Sequence, residues 1–543
     1  MKKIISLTIM LIMFLAVFAG CTQIDPVNNN SDTVDDISDT SADMGNTGDT
    51  VIVSEYFSDA DFKDVTGETC DAEIELNGST GVISDTARGS SGSNVTITSK
   101  GIYRITGTSE GVTVTVNDSK KSGNVYLILD NVNMTNNGCC INVENADKVI
   151  IQLVGESSLT NTLEDKGTIY SKDDITVNGS GTLTLSSAKH GIVCKNDLKI
   201  TDGTLLINAE YAGLKADDSV RISGGNITII SKHDGIQVDS DEGSGYFIIE
   251  DGTLTIDAVY DGIDVGTSVA SEYTGFISVN GNSIINITSG GGSDNSVGDN
   301  SSKGLKCDGS ISVSSGNVNV SSSDDGLHAE GDINISGGNI FISTSDDAVN
   351  SGTVLTVSGG IIDISKCYEG LDSEIITITS GEISVISSDD GVSAGDGGFY
   401  ISGGSLVIDS KGDGIDSNGN IEVSGGNVII EGPSNSGNAA LDYGDGFEFK
   451  ITGGTVLALG TIEKAVNFSS GTQCSALVKV SGENGTMIKI DDGSGFEYTA
   501  EKPFTCVLYS SSSLEEGKIY ILTSGSTETL LDFTSGRYYS NIN

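Results

Sequence analysis

The stretch SSDDGLHAEGDINISGGNIFISTSDDAVNSG, from Ser322 to Gly352, contains one phrase twice, 22 residues apart. In each copy two aspartates precede a small residue and an apolar residue, and apolar and polar side chains alternate between the copies. Alternation with period two predicts strands with one buried face. One interval contains three such strands, at Gly326–Ala329, Asp332–Ser336 and Asn339–Ser343. Three short strands separated by turns are typical of one coil of a parallel β-helix.

The same interval recurs along much of the chain. A glycine or alanine, nearly always followed by an apolar residue, occupies twelve anchor positions: Gly167, Gly191, Gly213, Gly235, Gly262, Gly304, Gly326, Ala348, Gly370, Gly391, Gly414 and Ala440. A leucine-rich repeat would show its own leucine signature, and a β-propeller needs a period of about 40 residues. The sequence therefore predicts an all-β fold, a single-stranded parallel β-helix with about 22 residues and three strands per coil.

Four longer intervals indicate loops inserted into otherwise regular coils. These insertions are Asp239–Gly245, Gly266–Gly275, Ser289–Ser302 and Gly432–Asn438. Insertions on one face of a repeat protein often form its binding site, although surface loops also vary without any function. The insertions are therefore candidate walls of a binding surface.

The N-terminus carries features of export. Lys2 and Lys3 precede an apolar run from Ile4 to Ala19, which is too short and too early to favour a permanent membrane span. The sequence Phe18-Ala19-Gly20-Cys21 resembles the bacterial lipoprotein cleavage motif, with Cys21 as the lipidated residue, although that motif usually has leucine where Phe18 stands. An ordinary cleaved signal peptide is the alternative. Both interpretations place the protein outside the cytoplasm, and the first predicts a cell-surface lipoprotein.

The rest of the chain divides by composition and period. Residues 22–52 are acidic and polar, which predicts a disordered tether. Residues 53–165 are rich in strand patterns with irregular spacing, which predicts an N-terminal cap and the first coils. Residues 166–465 carry the regular repeat, and residues 466–543 predict a small C-terminal β module. Such a module would cover the last coil, whose edge would otherwise remain unpaired.

The charge balance excludes some partners. The formal net charge is −48, from 76 acidic and 28 basic residues. A surface of this charge repels nucleic acid and anionic lipid headgroups, and it attracts cations. We therefore expect no nucleic-acid partner, contact with a membrane only through the lipid anchor, and a monomer.

Carboxylates concentrate around the anchors. They occupy the two positions before the anchor and the second position after it: Asp324, Asp325, Asp346, Asp347, Glu369, Asp372, Asp389, Asp390, Asp413 and Asp416. In stacked coils these side chains would lie about 5 Å apart and repel by roughly 0.8 kcal/mol per pair even at the dielectric constant of water. Raised pKa values or a bound hard cation would relieve the repulsion. Oxygen ligands at this density suit Ca²⁺. Solvated Asp-Gly turns are the alternative, but the doubled aspartates exceed what a turn requires, so we predict calcium sites.

Other residues on the same flank are candidates for ligand binding. Tyr211, Tyr260 and Tyr368 each stand two residues before an anchor glycine, and sugar-binding sites commonly use aromatic rings. Lys215 and Lys306 occupy the column two residues after the anchor. Tyrosines at turns are as often structural, and a lysine among acids is more often an ion-pair partner, so both interpretations remain open.

Long segments of the chain resemble a known family. The runs NADKVIIQLVGESSLTNT and HGIVCKNDLKITDGTLLINA, the DGI coils and the tail NFSSGTQCSALVKV are similar to the carbohydrate-binding-domain family of secreted β-helix proteins from polysaccharide-degrading anaerobic bacteria. The resemblance covers about residues 70–525. It implies a right-handed, pectate-lyase-like β-helix, bound calcium, and affinity for cellulose or polygalacturonate. Of the family's functional residues, only the calcium ligands can be matched here, to the acidic anchor positions. No motif identifies the residues that would contact sugar.

Three classes of function remain. The sequence favours non-catalytic, calcium-dependent binding of a plant cell-wall-type polysaccharide, cellulose or polygalacturonate, at the cell surface. The first alternative is a calcium-dependent polysaccharide lyase, which would need an arginine or lysine to remove a proton beside the metal. The chain has four arginines, and Arg221 lies outside the anchor column, so we assign no catalytic residue. The second alternative is a structural or adhesive scaffold that calcium stiffens.

Overall fold

The computed structural model describes residues 55–240, 245–267, 274–296, 298, 300–435 and 437–542. The signal segment with Cys21 and the tether at residues 22–52 lie outside the described residues. No helix within the described ranges is long and apolar enough to cross a membrane.

The first part of the described chain is a short helix followed by ten strands. The helix is α1 (Asp59–Phe62), and the strands are β1 (Ala72–Gly78), β2 (Thr80–Ile83), β3 (Gly89–Ser90), β4 (Asn94–Ile97), β5 (Gly101–Glu110), β6 (Thr113–Asn117), β7 (Val125–Asn136), β8 (Ile141–Asn145), β9 (Val149–Val154) and β10 (Glu156–Asn161). Strand β1 pairs antiparallel with β2 and parallel with β5, so the pattern changes here from a hairpin to stacked coils.

The regular coils follow. Their strands are β11 (Gly167–Ser171), β12 (Ile175–Asn178), β13 (Thr182–Ser187), β14 (His190–Cys194), β15 (Asp197–Ile200), β16 (Thr204–Ala209), β17 (Leu214–Ala216), β18 (Ser219–Ser231), β19 (Ile236–Ser240), β20 (Tyr246–Ala258), β21 (Ile263–Thr267), β22 (Phe276–Val279), β23 (Ile284–Ser289), β24 (Leu305–Cys307), β25 (Ser310–Val313), β26 (Asn317–Ser322), β27 (Leu327–Ala329), β28 (Ile333–Ile335), β29 (Asn339–Thr344), β30 (Val349–Cys367), β31 (Leu371–Ser387), β32 (Val392–Asp409), β33 (Ile415–Ser417), β34 (Ile421–Glu431), β35 (Leu441–Tyr443) and β36 (Phe449–Gly460).

The remaining strands form the C-terminal part. They are β37 (Ser470–Gly471), β38 (Ser475–Gly482), β39 (Met487–Ile490), β40 (Glu497–Thr499), β41 (Phe504–Ser510), β42 (Ile519–Ser524), β43 (Thr527–Asp532) and β44 (Tyr538–Asn541). Strand β41 pairs antiparallel with β36, the last long strand of the coils. The final coil therefore does not end in an open sheet edge, which is the role expected of a C-terminal cap.

Each strand of a regular coil pairs in parallel with the strand one coil away, and about 15 turns stack into a solenoid. The predicted parallel β-helix is thus confirmed, and the strands expected in the opening stretch are β27, β28 and β29. A column of small apolar residues also stacks in register: Cys194, Ala216, Val238, Val265, Cys307 and Ala329. All six are fully buried, so this column belongs to the hydrophobic core.

The close approach of neighbouring coils explains the small anchors. A Cβ atom added to Gly326 would lie 2.5 Å from the carbonyl oxygen of Ala348 and 2.7 Å from Cγ2 of Ile342. A larger side chain would separate the coils, so the anchor position accepts glycine or alanine. The turn before β29 has a different requirement, since Gly338 has a φ of +83° that disfavours other residues.

Candidate functional site

The column two residues after the anchor is a vertical row in the structure. Strand pairing places Asp264 beside Lys306, Lys306 beside His328, His328 beside Asn350, and Asn350 beside Asp372. Side chains separated by 22 or more residues in the chain are therefore neighbours in space. The period that defines the coils also aligns the charged residues.

Three acid groups form along this flank. The first acid group is Asp324, Asp325 and Asp346; the second is Asp347, Glu369 and Asp372; the third is Asp390, Asp413 and Asp416. Within each group one carboxylate oxygen per residue lies within 4.8 Å of the others. Nine of the ten predicted metal ligands thus fall into these groups. The tenth, Asp389, lies outside them and accepts a hydrogen bond from the hydroxyl of Tyr368.

The first acid group already has a positive partner. Nζ of Lys303 lies 2.8 Å from Oδ1 of Asp324 and 3.0 Å from Oδ2 of Asp325. Nδ1 of His328 lies 2.8 Å from the same Oδ2 of Asp325. Burial opposes ionisation of Asp325, but His328 and Lys303 outweigh it and hold the pKa of Asp325 below its ordinary value. The charge of this group is therefore balanced largely by the protein itself.

The second and third acid groups have no such partner. In the described ranges, no lysine, arginine or histidine forms an ion pair with them. The amide of Asn350 donates to Asp347 over 3.0 Å and to Asp372 over 3.1 Å, which orients two carboxylates without neutralising them. Burial, reinforced by neighbouring carboxylates, raises the pKa of Asp347, Glu369 and Asp390 to about 7. These two groups therefore require protons or a cation near neutral pH.

The candidate lysines hold the earlier coils together. Nζ of Lys306 lies 3.3 Å from Oδ2 of Asp261 and 3.2 Å from Oδ1 of Asp264. Lys215 donates a hydrogen bond to Gln237 over 2.9 Å and lies 3.5 Å from Asp239. Lysines thus balance the acids of these coils, whereas the coils that form the second and third acid groups have no lysine in the same columns.

Two of the candidate tyrosines belong to a stack of rings that crosses four coils. Tyr211 lies between His190, at 5.6 Å between ring centroids, and His233, at 6.1 Å. His233 in turn stacks on Tyr260 at 4.4 Å. Because His233 stacks on Tyr211 and the tilted ring of His190 adjoins it, Tyr211 is poorly placed to stack on a sugar. Tyr368 is different, since 46% of its surface is exposed.

The two histidines of this stack were not among the predicted site residues. His190 stands directly before the anchor Gly191, and His233 stands two residues before the anchor Gly235. Burial and the charge of Lys215 lower the pKa of His190 to about 4, so its ring is neutral at pH 7. The spacing of both histidines from the anchors is the signal in the sequence that places them on this flank.

The four arginines are engaged away from the acid groups. Arg88 pairs with Asp71, Arg104 with Asp130, Arg221 with Asp197 and Arg537 with Glu516. The guanidinium of Arg221 also donates to the carbonyl oxygen of Tyr56 over 2.8 Å. Each arginine therefore stabilises a structural contact, and in the described ranges the basic side chains paired with an acid group are Lys303 and His328.

Parts of the chain are similar to known proteins. A family model described as "Carbohydrate-binding domain-containing protein" matches residues 91–348. A protein of the same description from Acetivibrio thermocellus is 38% identical over 123 residues, covering 20% of this chain and 43% of that protein. The match thus spans less than half the length of that relative. A solved polysaccharide lyase-like protein from C. thermocellum, a gadolinium derivative, is 33% identical, with 40% of this chain and 96% of that chain covered and a TM-score of 0.35.

Proposed function

We propose, from the premise that residues 91–348 belong to the carbohydrate-binding-domain family, that this protein binds polysaccharide without catalysis and depends on calcium to do so. The expected ligands are cellulose or polygalacturonate, of the plant cell-wall type. The observation that carries the proposal is the pair of acid groups without an ion-pair partner, which lie at and beyond the end of the matched residues 91–348 on the same β-helix.

The donors of the second and third acid groups fit a calcium ion. All are carboxylate oxygens, they converge within 4.8 Å, and burial disfavours leaving them as bare anions. Ca²⁺ accepts six to eight oxygens in flexible geometry, so water or a ligand would complete the shell around three carboxylates. A bound Ca²⁺ would supply positive charge to bridge the protein to the carboxylates of polygalacturonate. In the first acid group Lys303 competes for the same oxygens, so we place calcium in the other two.

The location of the protein is also part of the proposal. The signal segment ending at Cys21 and the acidic tether at residues 22–52 support a lipid-anchored protein on the cell surface. A tether of this length would let the β-helix reach extracellular polysaccharide while the anchor remains in the membrane. Metabolic labelling with a palmitate analogue, with Cys21→Ser as the control, tests this element separately.

The central test combines retention and absorbance. Purified protein is mixed with polygalacturonate, cellulose or chitin, in calcium or in chelator, and both pull-down and ultraviolet absorbance are followed. We expect retention on polygalacturonate that chelation abolishes, with no rise in absorbance. Rising absorbance from an unsaturated product would instead establish a lyase, and no retention on any glycan would leave the scaffold function.

A matched pair of variants assigns the effect to the acid groups. Asp347→Asn combined with Asp372→Asn removes two charges from the second acid group but keeps oxygen acceptors for Asn350. Asp389→Asn removes one charge from the same flank outside the groups. Calcium-dependent retention should fall in the first variant and remain in the second.

A further inference from the structure

A row of outward-facing side chains crosses four coils on the face formed by the third strands. Strand pairing places Thr255 beside Asn286, Asn286 beside Asn319, and Asn319 beside Phe341. The amide of Asn319 donates to Oδ1 of Asn286 over 2.9 Å, and that of Asn286 lies 3.5 Å from Oγ1 of Thr255. The ring of Phe341 continues this row and is 43% exposed. The row therefore presents hydroxyl, amide and aromatic groups in sequence.

One inserted loop contacts two of the strands that carry this row. Residues 290–296 belong to the insertion within the 42-residue interval between Gly262 and Gly304. Oγ of Ser321 accepts a hydrogen bond from the backbone of Ser293 over 3.1 Å, and Oγ of Ser343 donates to Oγ of Ser293 over 2.7 Å. These contacts attach the loop to the same strands. The row and the strand residues next to it line a groove of about 340 Å³.

The lining of this groove has a composition unlike that of the whole surface. Threonine, asparagine, serine and apolar residues line it, and none of its lining residues is charged, in a chain with a formal net charge of −48. Hydroxyl and amide groups can both donate to and accept from sugar hydroxyls. An exposed aromatic face offers an apolar surface to the C–H groups of a pyranose ring. The combination suits an uncharged sugar.

The groove also has the shape for an extended chain. It crosses successive strands spaced by about 4.8 Å, a repeat comparable with the length of one pyranose unit. Successive coils can therefore offer a similar polar contact to successive sugar units. A volume of about 340 Å³ lies at the lower end of the range for ligand sites, which suits a short segment of a longer polymer.

We propose that this groove, the Phe341 groove, binds a segment of an uncharged β-linked polysaccharide independently of calcium. The proposal rests on the polysaccharide-binding function argued above and deepens it: neutral glycan binds at a surface separate from the acid groups, and the calcium dependence then applies to acidic polysaccharide alone. One pyranose ring stacks on Phe341, and the hydroxyls of the adjoining units bond to Asn319 and Asn286. Acidic polysaccharide is then left to the calcium-dependent flank.

The test is calorimetric titration of the full chain with cellohexaose in EDTA. Phe341→Ala removes the ring, Phe341→Tyr keeps it, and Asn319→Asp replaces an amide donor with a negative charge. Val407→Ala is the matched control, because Val407 is 36% exposed and occupies the same outward column three coils further on. We expect Phe341→Ala and Asn319→Asp to weaken binding about tenfold or more, and the other two variants to bind within about twofold of the wild type.

Other outcomes would overturn the proposal in distinguishable ways. Equal binding by wild type and Phe341→Ala, with unchanged thermal midpoints, would place neutral glycan elsewhere on the protein. Binding of polygalacturonate in calcium without binding of cellohexaose in EDTA would remove the Phe341 groove but leave the proposed function intact. Failure of the wild type to bind any glycan would overturn both. Calcium-dependent retention on polygalacturonate serves as the folding control for every variant.

Discussion

The substitution Asp347→Asn should have opposite effects on stability in chelator and in calcium. Asp347 belongs to the second acid group, whose oxygens lie within 4.8 Å of one another and pair with no basic side chain in the described ranges. Asparagine has nearly the same shape, and its carbonyl oxygen can still accept the hydrogen bond from Asn350. The change therefore removes charge while preserving most of the packing.

The distances between the carboxylates set the size of the stabilisation expected in chelator. Two unit charges 4.8 Å apart repel by about 0.9 kcal/mol at the dielectric constant of water and by about 3.5 kcal/mol at an effective value of 20. Removing Asp347 relieves two such pairs, with Glu369 and with Asp372. The limits are therefore about 2 and 7 kcal/mol, and for half-buried groups we expect a stabilisation of about 3 kcal/mol when all three carboxylates are ionised.

The assay is urea unfolding at pH 8, where these carboxylates carry most of their charge. In EDTA the midpoint of Asp347→Asn should lie above that of the wild type. In calcium at 100 times its Kd the wild type gains about 2.7 kcal/mol, whereas the variant, with one ligand fewer, gains much less. The difference between the two proteins should therefore shrink to near zero or change sign.

The exposed Asp396 provides the control, since Asp396→Asn should shift stability by no more than about 0.5 kcal/mol under either condition. Two results would refute the reasoning. One is a destabilised Asp347→Asn in EDTA, which would mean that the carboxylates do not repel appreciably. The other is an equal gain from calcium in both proteins, which would place the ion elsewhere.

Three further predictions concern the rest of the flank and the coils. Lys303→Met should destabilise the protein by about 3 kcal/mol in EDTA, because it leaves Asp324 and Asp325 without their lysine. In urea unfolding, added calcium should restore part of the lost stability. His190 has a pKa of about 4 in the fold against 6.5 for the free side chain. The neutral His190 therefore contributes fully to the free energy of unfolding above pH 6.5, and this contribution, at most about 3 kcal/mol, is lost as the pH falls towards 4. His190→Gln should remove that component from a plot of stability against pH, and an unchanged slope would contradict the assignment. Gly326→Val should lower the thermal midpoint by several degrees because the new side chain meets the next coil at 2.5 Å, whereas Gly67→Ala, with open space around it, should not.

Local patterns in the sequence were enough to predict the architecture and the alignment of the acids. A period near 22 residues and the alternation of apolar side chains are local features, and they place strands such as β27, β28 and β29 within about two residues of their observed limits. Strand register then follows from the period, because equal intervals bring equivalent residues into one column. The same period predicts that Asp347 and Asp372 lie together on one flank, and the family resemblance points to polysaccharide.

Which of these residues remain available to bind a cation or a sugar depends on how the side chains meet in the fold. Side-chain directions and separations of a few ångströms decide three points. They decide whether Lys303 balances Asp324, whether Asp389 joins an acid group, and whether another ring already covers the ring of Tyr211. Spacing along the chain does not specify such distances, since one column position allows several side-chain conformations. The Phe341 groove needed more still, because its lining residues come from five strands that become neighbours only in the fold.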